Sequence, residues 1–459
     1  MTQTYDAIVI GTGQAGPSLA ERLSNAGQKV AIIEKGKFGG TCVNTGCIPT
    51  KAMVASAYTA HLARRAQEYG VELGGAVVVN MKRVKQRKDA ISGKSNRGVE
   101  KWVRGLANAT VYQGHARFVG PQRVRVNDSE LTADKIFINV GGRPLIPPMP
   151  GVQTVPFLTS ESMMDVDFLP EHLIVVGGSY IGLEFGQMFR RFGSRVTVIE
   201  QKPRLVVRED EDVSDAVRDI LQSEGIEIRL NASCIGFQHS AASIIANVDC
   251  TSGAPAIEGS HLLLAVGRVP NTDDLGLVTA GIQTDDKGYI KVDDALRTTA
   301  PGVWALGDCN GKGAFTHTSY NDYEIVAANL LDGANRKWTD RITSYALFID
   351  PPLGRIGMTD AEARRSGRKF LVAKRQMTRV NRAVEKGETQ GFMKFLIDAQ
   401  SKHIVSATIL GTGGDEVVHS LFDAIYAGQP YTDVVQRMRV HPTVSELIPT
   451  ALSDLQPLS

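Results

Sequence analysis

At 459 residues with a formal net charge of +2, the chain is long enough for about three domains. It is too nearly neutral for bulk attraction to nucleic acid or a membrane surface, and no apolar run approaches the roughly 20 residues of a membrane span. The opening Met1-Thr2-Gln3-Thr4-Tyr5-Asp6 lacks the shape of a signal peptide, and an odd cysteine count of 5 suits a reducing, cytoplasmic compartment better than a disulfide scaffold.

Ala7-Ile8-Val9-Ile10 is a short apolar run of the kind a buried parallel strand needs. Gly11-Thr12-Gly13-Gln14-Ala15-Gly16 follows at once, and a helical pattern continues through Leu23. Val30-Ala31-Ile32-Ile33 predicts the next strand, ending in Glu34. Alone, Gly-x-Gly-x-x-Gly is a weak signal. Between a strand and a helix, with an acid about 20 residues on, it is the fingerprint of a dinucleotide site. Gly11 permits the tight turn, Gly13 lets the backbone approach a pyrophosphate, and Gly16 allows close helix packing. Phosphates face the helix N-terminus, and Glu34 binds ribose hydroxyls.

Gly39-Gly40-Thr41-Cys42-Val43-Asn44-Thr45-Gly46-Cys47-Ile48-Pro49-Thr50-Lys51 comes next. The cysteine spacing is too wide for Cys-x-x-Cys, and further Cys or His for a zinc site is missing. In an ideal helix these sulfurs lie beyond disulfide reach, so the segment must bend for them to meet. A bent, short-loop disulfide is easily reduced. Two readings stand here: unpaired buried thiols, or a redox dithiol. A helix beginning at this point lowers a thiol pKa through its positive end.

Residues 81–106 are helical and basic, with Lys82, Arg83, Lys85, Arg87 and Lys88, which reads as a solvated face rather than a nucleic-acid patch. Residues 116–140 predict a β-meander returning to the first sheet. The Pro-rich stretch 144–150 marks a domain crossing. Leu173-Ile174-Val175-Val176 then opens a second strand–turn–helix unit, Gly177-Gly178-Ser179-Tyr180-Ile181-Gly182-Leu183-Glu184. Ser179 stands where the fingerprint has its second glycine. It is small enough for the turn but alters the approach of a pyrophosphate. The strand Val196-Thr197-Val198-Ile199 ends in Glu200, which accepts from an adenosine ribose and repels a 2′-phosphate. That favours NADH, although Lys202, Arg204 and Arg208 follow closely and suit a phosphate. From Trp338 the pattern changes to Gly-punctuated strands, with helices after Gly414, and it closes on His441-Pro442-Thr443-Val444-Ser445-Glu446.

Together these motifs, with Ala265-Val266-Gly267-Arg268 and Ala305-Leu306-Gly307-Asp308, resemble the flavoprotein disulfide oxidoreductases. That group holds dihydrolipoamide dehydrogenase, glutathione reductase and mercuric reductase. Pro351-Pro352-Leu353-Gly354-Arg355 is similar to its mercuric reductase-like and reactive-chlorine-response branch. The resemblance implies an α/β chain with two Rossmann-like domains and an α+β dimerisation domain. Its parts are an FAD-binding domain at 1–145 and 270–337, an NAD(P)-binding domain at 146–269, and an interface domain at 338–459.

By the same resemblance FAD lies against Gly11, Gly13, Gly16, Glu34, Gly40, Thr41, Lys51, Gly141, Gly267 and Asp308. The nicotinamide dinucleotide, NADH or NADPH, lies against Gly177, Gly182 and Glu200. Tyr180 is the aromatic gate over the flavin, and Glu184 partners Lys51. The helix near Thr316-His317-Thr318 aims its N-terminus at the flavin, with His317 lining the site. Cys42 and Cys47 form the redox disulfide, Cys47 nearer the flavin and Cys42 nearer the substrate. His441, oriented by Glu446, serves the partner subunit's thiols, which implies a homodimer with shared sites and a small-molecule acceptor. No metal ligand set is implied. The rival readings are reduction of a soft metal ion, Cu(II) or Hg(II), and a non-enzymatic redox sensor. Mercury is disfavoured because residues 447–459 carry no cysteine and no metal-binding domain precedes the first fingerprint.

Overall fold

A computed structural model describes residues 2–240, 243–249 and 253–458. The first unit begins with β1 (Thr2–Ile10), α1 (Ala15–Asn25) and β2 (Val30–Glu34). Strand β1 starts five residues before its apolar run, because its exposed N-terminal half still pairs along the sheet. Successive side chains of a strand point to opposite faces. Ala7 and Val9 accordingly pack with Leu19 and Leu23 of α1, and Ile8 and Ile10 pack on the other face. An unbroken apolar run is what a strand covered on both faces requires.

Helices α2 (Gly40–Asn44), α3 (Cys47–Arg64) and α4 (Met81–Arg104) follow, then β3 (Ala109–Gln113), the meander β4 (Ala116–Gly120), β5 (Arg123–Val126) and β6 (Ser129–Ile138), and β7 (Gly142–Pro144). The basic helix α4 is mostly exposed, but Lys88 is not on its solvated face. Its side chain is buried, and Nζ donates to Met164 O at 2.7 Å.

The second unit holds β8 (Leu158–Thr159), β9 (His172–Val176), α5 (Tyr180–Phe192), β10 (Arg195–Ile199), α6 (Glu211–Ser223) and β11 (Glu227–Arg229). The small antiparallel sheet β12 (Ser233–Ser240), β13 (Ser243–Asp249), β14 (Ala256–Gly259) comes next, then β15 (His261–Leu264) and β16 (Arg268–Pro270). Strands run in the order β11-β10-β9-β15-β8, all parallel. The two-faced burial repeats: Leu173 and Val175 pack on α5, and Ile174 and Val176 pack towards the antiparallel sheet. β16 pairs with β7 where the chain leaves the first sheet and returns to it. The first sheet runs β3-β2-β1-β6-β5-β4, β17 (Val303–Ala305) adds a seventh strand beside β6, and α7 (Thr316–Leu331) follows.

The remainder is an antiparallel sheet of β18 (Ser344–Leu347), β19 (Leu353–Gly357), β20 (Phe370–Gln376), β21 (Phe392–Asp398), β22 (Ile404–Leu410) and β23 (Gln456–Pro457), in the order β18-β19-β22-β21-β20-β23. One continuous core links the parts. Met53 and Ala57 of α3 pack with Leu183 and Phe185 of α5 and with Leu347, Leu353 and Leu410 of the last sheet. The thiol-bearing helix, the second dinucleotide unit and the C-terminal sheet therefore share one wall.

Candidate functional site

The two dinucleotide turns are built alike. Gly11 has φ +101°, and a Cβ there would lie 2.3 Å from Asn139 O; one on Gly16 would lie 2.1 Å from Gly11 O. Gly177 has φ +118° and its Cβ would meet Ala265 O at 2.3 Å, while one on Gly182 would meet Gly177 O at 2.0 Å. Side chains are barred from both turns, which leaves backbone N–H groups at the helix ends. The acids repeat the pattern. Glu34 Oε2 accepts from Thr12 N at 2.9 Å and Oε1 from Gly36 N at 2.8 Å. Glu200 Oε2 accepts from Gly178 N at 2.7 Å and Oε1 from Lys202 N at 2.8 Å. Ser179 is exposed in extended backbone at the N-cap of α5 and makes no cap hydrogen bond, so its side chain does not block the turn.

The dithiol segment bends as its spacing requires. Helix α2 ends at Asn44, and Gly46 packs so closely on Thr41 that a Cβ would lie 2.9 Å from Thr41 O. Cys47 becomes the first residue of α3. Both thiols are free; Cys47 is exposed and Cys42 half-buried. Asn44, between them, donates to Phe38 O and Gly40 O at 2.9 Å each. Asn96 of α4 donates to the same Phe38 O at 2.7 Å and to Asn44 Oδ1 at 3.1 Å. These amides clamp the loop against α4.

The thiols titrate as a pair. A hydrogen bond from Cys42 is the main reason that Cys47 is lowered to about 6; Thr316 and the charge of Lys51 reinforce it against burial. Cys42, which gives that hydrogen bond and is itself desolvated, is pushed far up. The lowering thus comes from named side chains rather than from a helix end alone. Thr316, the first residue of α7, places Oγ1 3.1 Å from Cys47 Sγ. Lys51 Nζ donates to Glu184 Oε2 at 2.8 Å and lies over the Phe348 ring at 4.3 Å. Glu184 is held in turn by Phe348 N at 3.0 Å. His317 turns away, its Nε2 2.7 Å from Ser344 O.

The residues around this dithiol fit a flavin dinucleotide. A Cβ on Gly40 would lie 2.8 Å from Gly13 Cα, so the first fingerprint and the loop before Cys42 form one glycine-lined cradle. Gly141, at φ +62°, faces open space. Arg268 reaches from the second crossing strand to Thr41 Oγ1 at 3.5 Å, with Gly267 beside it at φ +136°. Asp308 is desolvated, which holds its carboxyl above the usual range despite the charge of Arg268. Such a group suits a hydroxyl-bearing ligand. The turn that carries it is pinned by Asp322 of α7, whose Oδ2 accepts from Gly307 N at 2.7 Å and Asn310 Nδ2 at 2.9 Å.

His441 stands apart. Nδ1 lies 2.8 Å from Glu446 Oε2, and because a carboxylate only accepts, Nδ1 carries the hydrogen. The imidazole is 71% exposed and, among the described residues, makes no hydrogen bond to either cysteine of its own chain. Thr12, Asn96 and Thr316 were not singled out as site residues from the sequence. Thr12 lies inside the first fingerprint and Thr316 at the start of a helix expected to face the site, whereas Asn96 carries no sequence signal.

A profile of the pyridine nucleotide-disulphide oxidoreductases matches residues 5–322, and one for the dimerisation domain of that group matches residues 343–452. The probable pyridine nucleotide-disulfide oxidoreductase RclA of Escherichia coli (strain K12) is 34% identical, over 98% of this chain and 98% of its own. The dihydrolipoyl dehydrogenase of Thermus scotoductus is 31% identical, over 97% of this chain and 96% of its own. The Cu(II) complex of HOCl-induced flavoprotein disulfide reductase RclA from E. coli superposes with a TM-score of 0.90 at 33% identity, covering 98% of this chain and 99% of that one. With two dinucleotide turns flanking a coupled dithiol and sequence likeness along nearly all its length, this chain belongs to the pyridine nucleotide-disulphide oxidoreductase family and is a flavoprotein oxidoreductase.

Proposed function

We propose that this enzyme takes electrons from NADH and delivers them through Cys42 and Cys47 to a small disulfide or other thiol-reactive acceptor. The observation that carries this reading is the asymmetric thiol pair, half-buried Cys42 beside exposed Cys47, whose Sγ lies 3.1 Å from Thr316 Oγ1 and whose thiol is lowered by Cys42, Thr316 and Lys51. FAD, when bound, supplies the two-electron relay between nicotinamide and sulfur. Gly11, Gly13, Gly16, Glu34, Gly40, Thr41, Gly141, Gly267 and Asp308 would hold it, with Lys51 as the cation beside it. Cys42 attacks one sulfur of the acceptor and expels the other as a thiolate, which takes a proton. Cys47 then attacks Cys42, closes the Cys42–Cys47 disulfide and releases the second thiol. Each turnover converts one acceptor disulfide into two thiols.

His441, fixed by Glu446 with Nε2 as its free nitrogen, takes the proton of Cys42 and returns it to the leaving thiolate. It does so in the partner subunit of a homodimer. The preference for NADH rests on Glu200, an acid at the ribose end of β10, and on Arg204, which is already drawn to Glu211 at 3.6 Å. We place the enzyme in the cytoplasm, where the thiols stay reducible. No described helix is long and apolar enough to cross a membrane.

A second reading treats Cu(II) as the acceptor. The E. coli relative has been solved with that ion, and a dithiolate suits soft metals. Two Cu(II) become two Cu(I) as the dithiol closes to the disulfide. The test is oxidation of NADH and NADPH, followed against lipoamide, glutathione disulfide, Cu(II) and Hg(II). The expected result is faster turnover with NADH, an acceptor among the disulfides, and loss of turnover in Cys42→Ser. Turnover only with Cu(II) selects the second reading. Disulfide turnover that survives Cys42→Ser refutes the first.

A further inference from the structure

A buried knot of charge joins the second dinucleotide unit to the C-terminal sheet. At its centre Glu209, just before α6, is 3% exposed. Oε1 accepts from the hydroxyl of Tyr180 at 3.1 Å and from that of Tyr345 at 2.6 Å, and Oε2 accepts from Arg355 Nη1 at 2.9 Å. Arg355, in β19, is 1% exposed and also donates to Asp210 at 3.1 Å and to Met358 O at 2.7 Å. Asp210, Asp212 and Asp360 lie close enough together to hold a cation, and the ammonium of Lys394 is that cation, at 2.9, 2.9 and 3.0 Å. Buried ions paired in this way resist displacement, because moving one strands its partners. Glu209 is therefore a fixed point.

Tyr180 is the member of this knot that touches the dinucleotide turn. It is the first residue of α5 and follows Ser179 directly. Its ring meets Phe315 edge-on at 6.2 Å, and the next residue, Thr316, contacts Cys47. Through Phe315 the ring connects the second fingerprint with the start of α7, which touches Cys47. A dinucleotide held by that fingerprint has to extend its nicotinamide past this ring to deliver electrons.

We infer that Glu209 is a positioning residue, anchored by Arg355 from the interface sheet, that holds Tyr180 across the nicotinamide subsite so that the dinucleotide must break the Tyr180–Glu209 hydrogen bond to seat its nicotinamide. This rests on reading the second unit as the NAD(P)H site. A hydroxyl bonded to an ionised acceptor is held more firmly than one bonded to a neutral group. The ring's closed position lowers apparent affinity by the fraction of molecules in which it is shut. The effect falls only on ligands that carry nicotinamide. Because the anchor comes from the interface sheet, access to one end of the electron path depends on the domain that forms the other.

Calorimetric titration of the purified holoprotein with NAD⁺ and with ADP-ribose, which lacks nicotinamide, tests this. Should the enzyme prefer the phosphorylated cofactor, NADP⁺ and 2′-phospho-ADP-ribose replace them. Glu209→Gln is the direct variant. Because it leaves Arg355 buried beside an amide, Tyr180→Phe, which removes only the donor hydroxyl, carries the test whether or not the first folds. The expected result for Tyr180→Phe is about fivefold tighter NAD⁺ binding, the scale of one hydrogen bond, with ADP-ribose binding unchanged. Unchanged affinity for NAD⁺, or an equal shift for both ligands, overturns the proposal. Wild-type protein that binds neither ligand instead refutes the assignment of the second unit on which the proposal stands.

Discussion

Cys47 depends more on its neighbours' hydrogen bonds than on its helix. Its thiol is lowered to about 6, with the bond from Cys42 as the largest cause and Thr316 as a further one. A lowered thiol is thiolate above that value and protonated below it, so in the reduced protein its reactivity rises through about pH 6 and levels off. Alkylation by iodoacetamide, followed by peptide mass spectrometry across pH, reads this directly. Cys42→Ala removes the largest cause and is expected to move the midpoint upward most; Thr316→Val moves it upward less. An unmoved midpoint in Cys42→Ala rules out the mutual hydrogen bond as the source. Cys309 serves as an internal control: burial pushes it up to about 12, and its Sγ–H points to Leu306 O at 3.3 Å, so it stays unreactive.

At the scale of elements, the first two turns of α7 tie the Gly307–Asn310 turn to the thiols. Thr316, at its start, meets Cys47; Asp322, two turns on, holds Gly307 and Asn310 and pairs with Arg341. Burial raises the Asp322 carboxyl, with Arg341 opposing it. Asp322→Ala removes the buried acceptor of Gly307 N and the ion partner of Arg341, while Asn310 keeps Ala305 O and Arg341 keeps Asn321 Oδ1. We expect a loss of about 3–5 kcal/mol, measured by urea unfolding, together with weaker FAD retention. An effect below about 1 kcal/mol means that the pair is not an effective part of the core.

The same helix shows what a sequence does and does not carry. The glycine turns, their acids and the two-faced strands were legible because turn chemistry and strand periodicity are local. Lys51 and Glu184 are 133 residues apart, and only the family resemblance points to their pairing. The contact of Thr316 with Cys47 spans 269 residues, and the approach of Asn96 to Asn44 joins separate helices. Lys88 reads as one more surface cation until Met164 is folded over it. Arg355 belongs to the Pro351–Arg355 motif, but its partner Glu209 is 146 residues away and carries no local mark.

For the whole molecule, the role proposed for His441 makes one chain half a site. Its imidazole is oriented by Glu446 yet largely exposed, and the residues before it, Met438 and Val440, are 98% and 76% exposed. Exposed apolar side chains around a fixed base mark a surface that another protein covers. The matched dimerisation domain spans this segment. If the base serves the partner's thiols, then a Cys42→Ser chain and a His441→Ala chain repair each other. A mixed dimer has one site in which both changes meet and one in which intact Cys42 and Cys47 face an intact His441. Homodimers of Cys42→Ser lose disulfide turnover, and those of His441→Ala fall by about 100-fold or more, the scale of acid–base catalysis. Coexpression at equal amounts gives mixed dimers as half the population, each with one working site, so about a quarter of wild-type turnover returns. If histidine and cysteines act within one chain, no mixture exceeds the mean of the two variants. Affinity tags on each chain isolate the mixed dimer, and its turnover per flavin decides between the two arrangements.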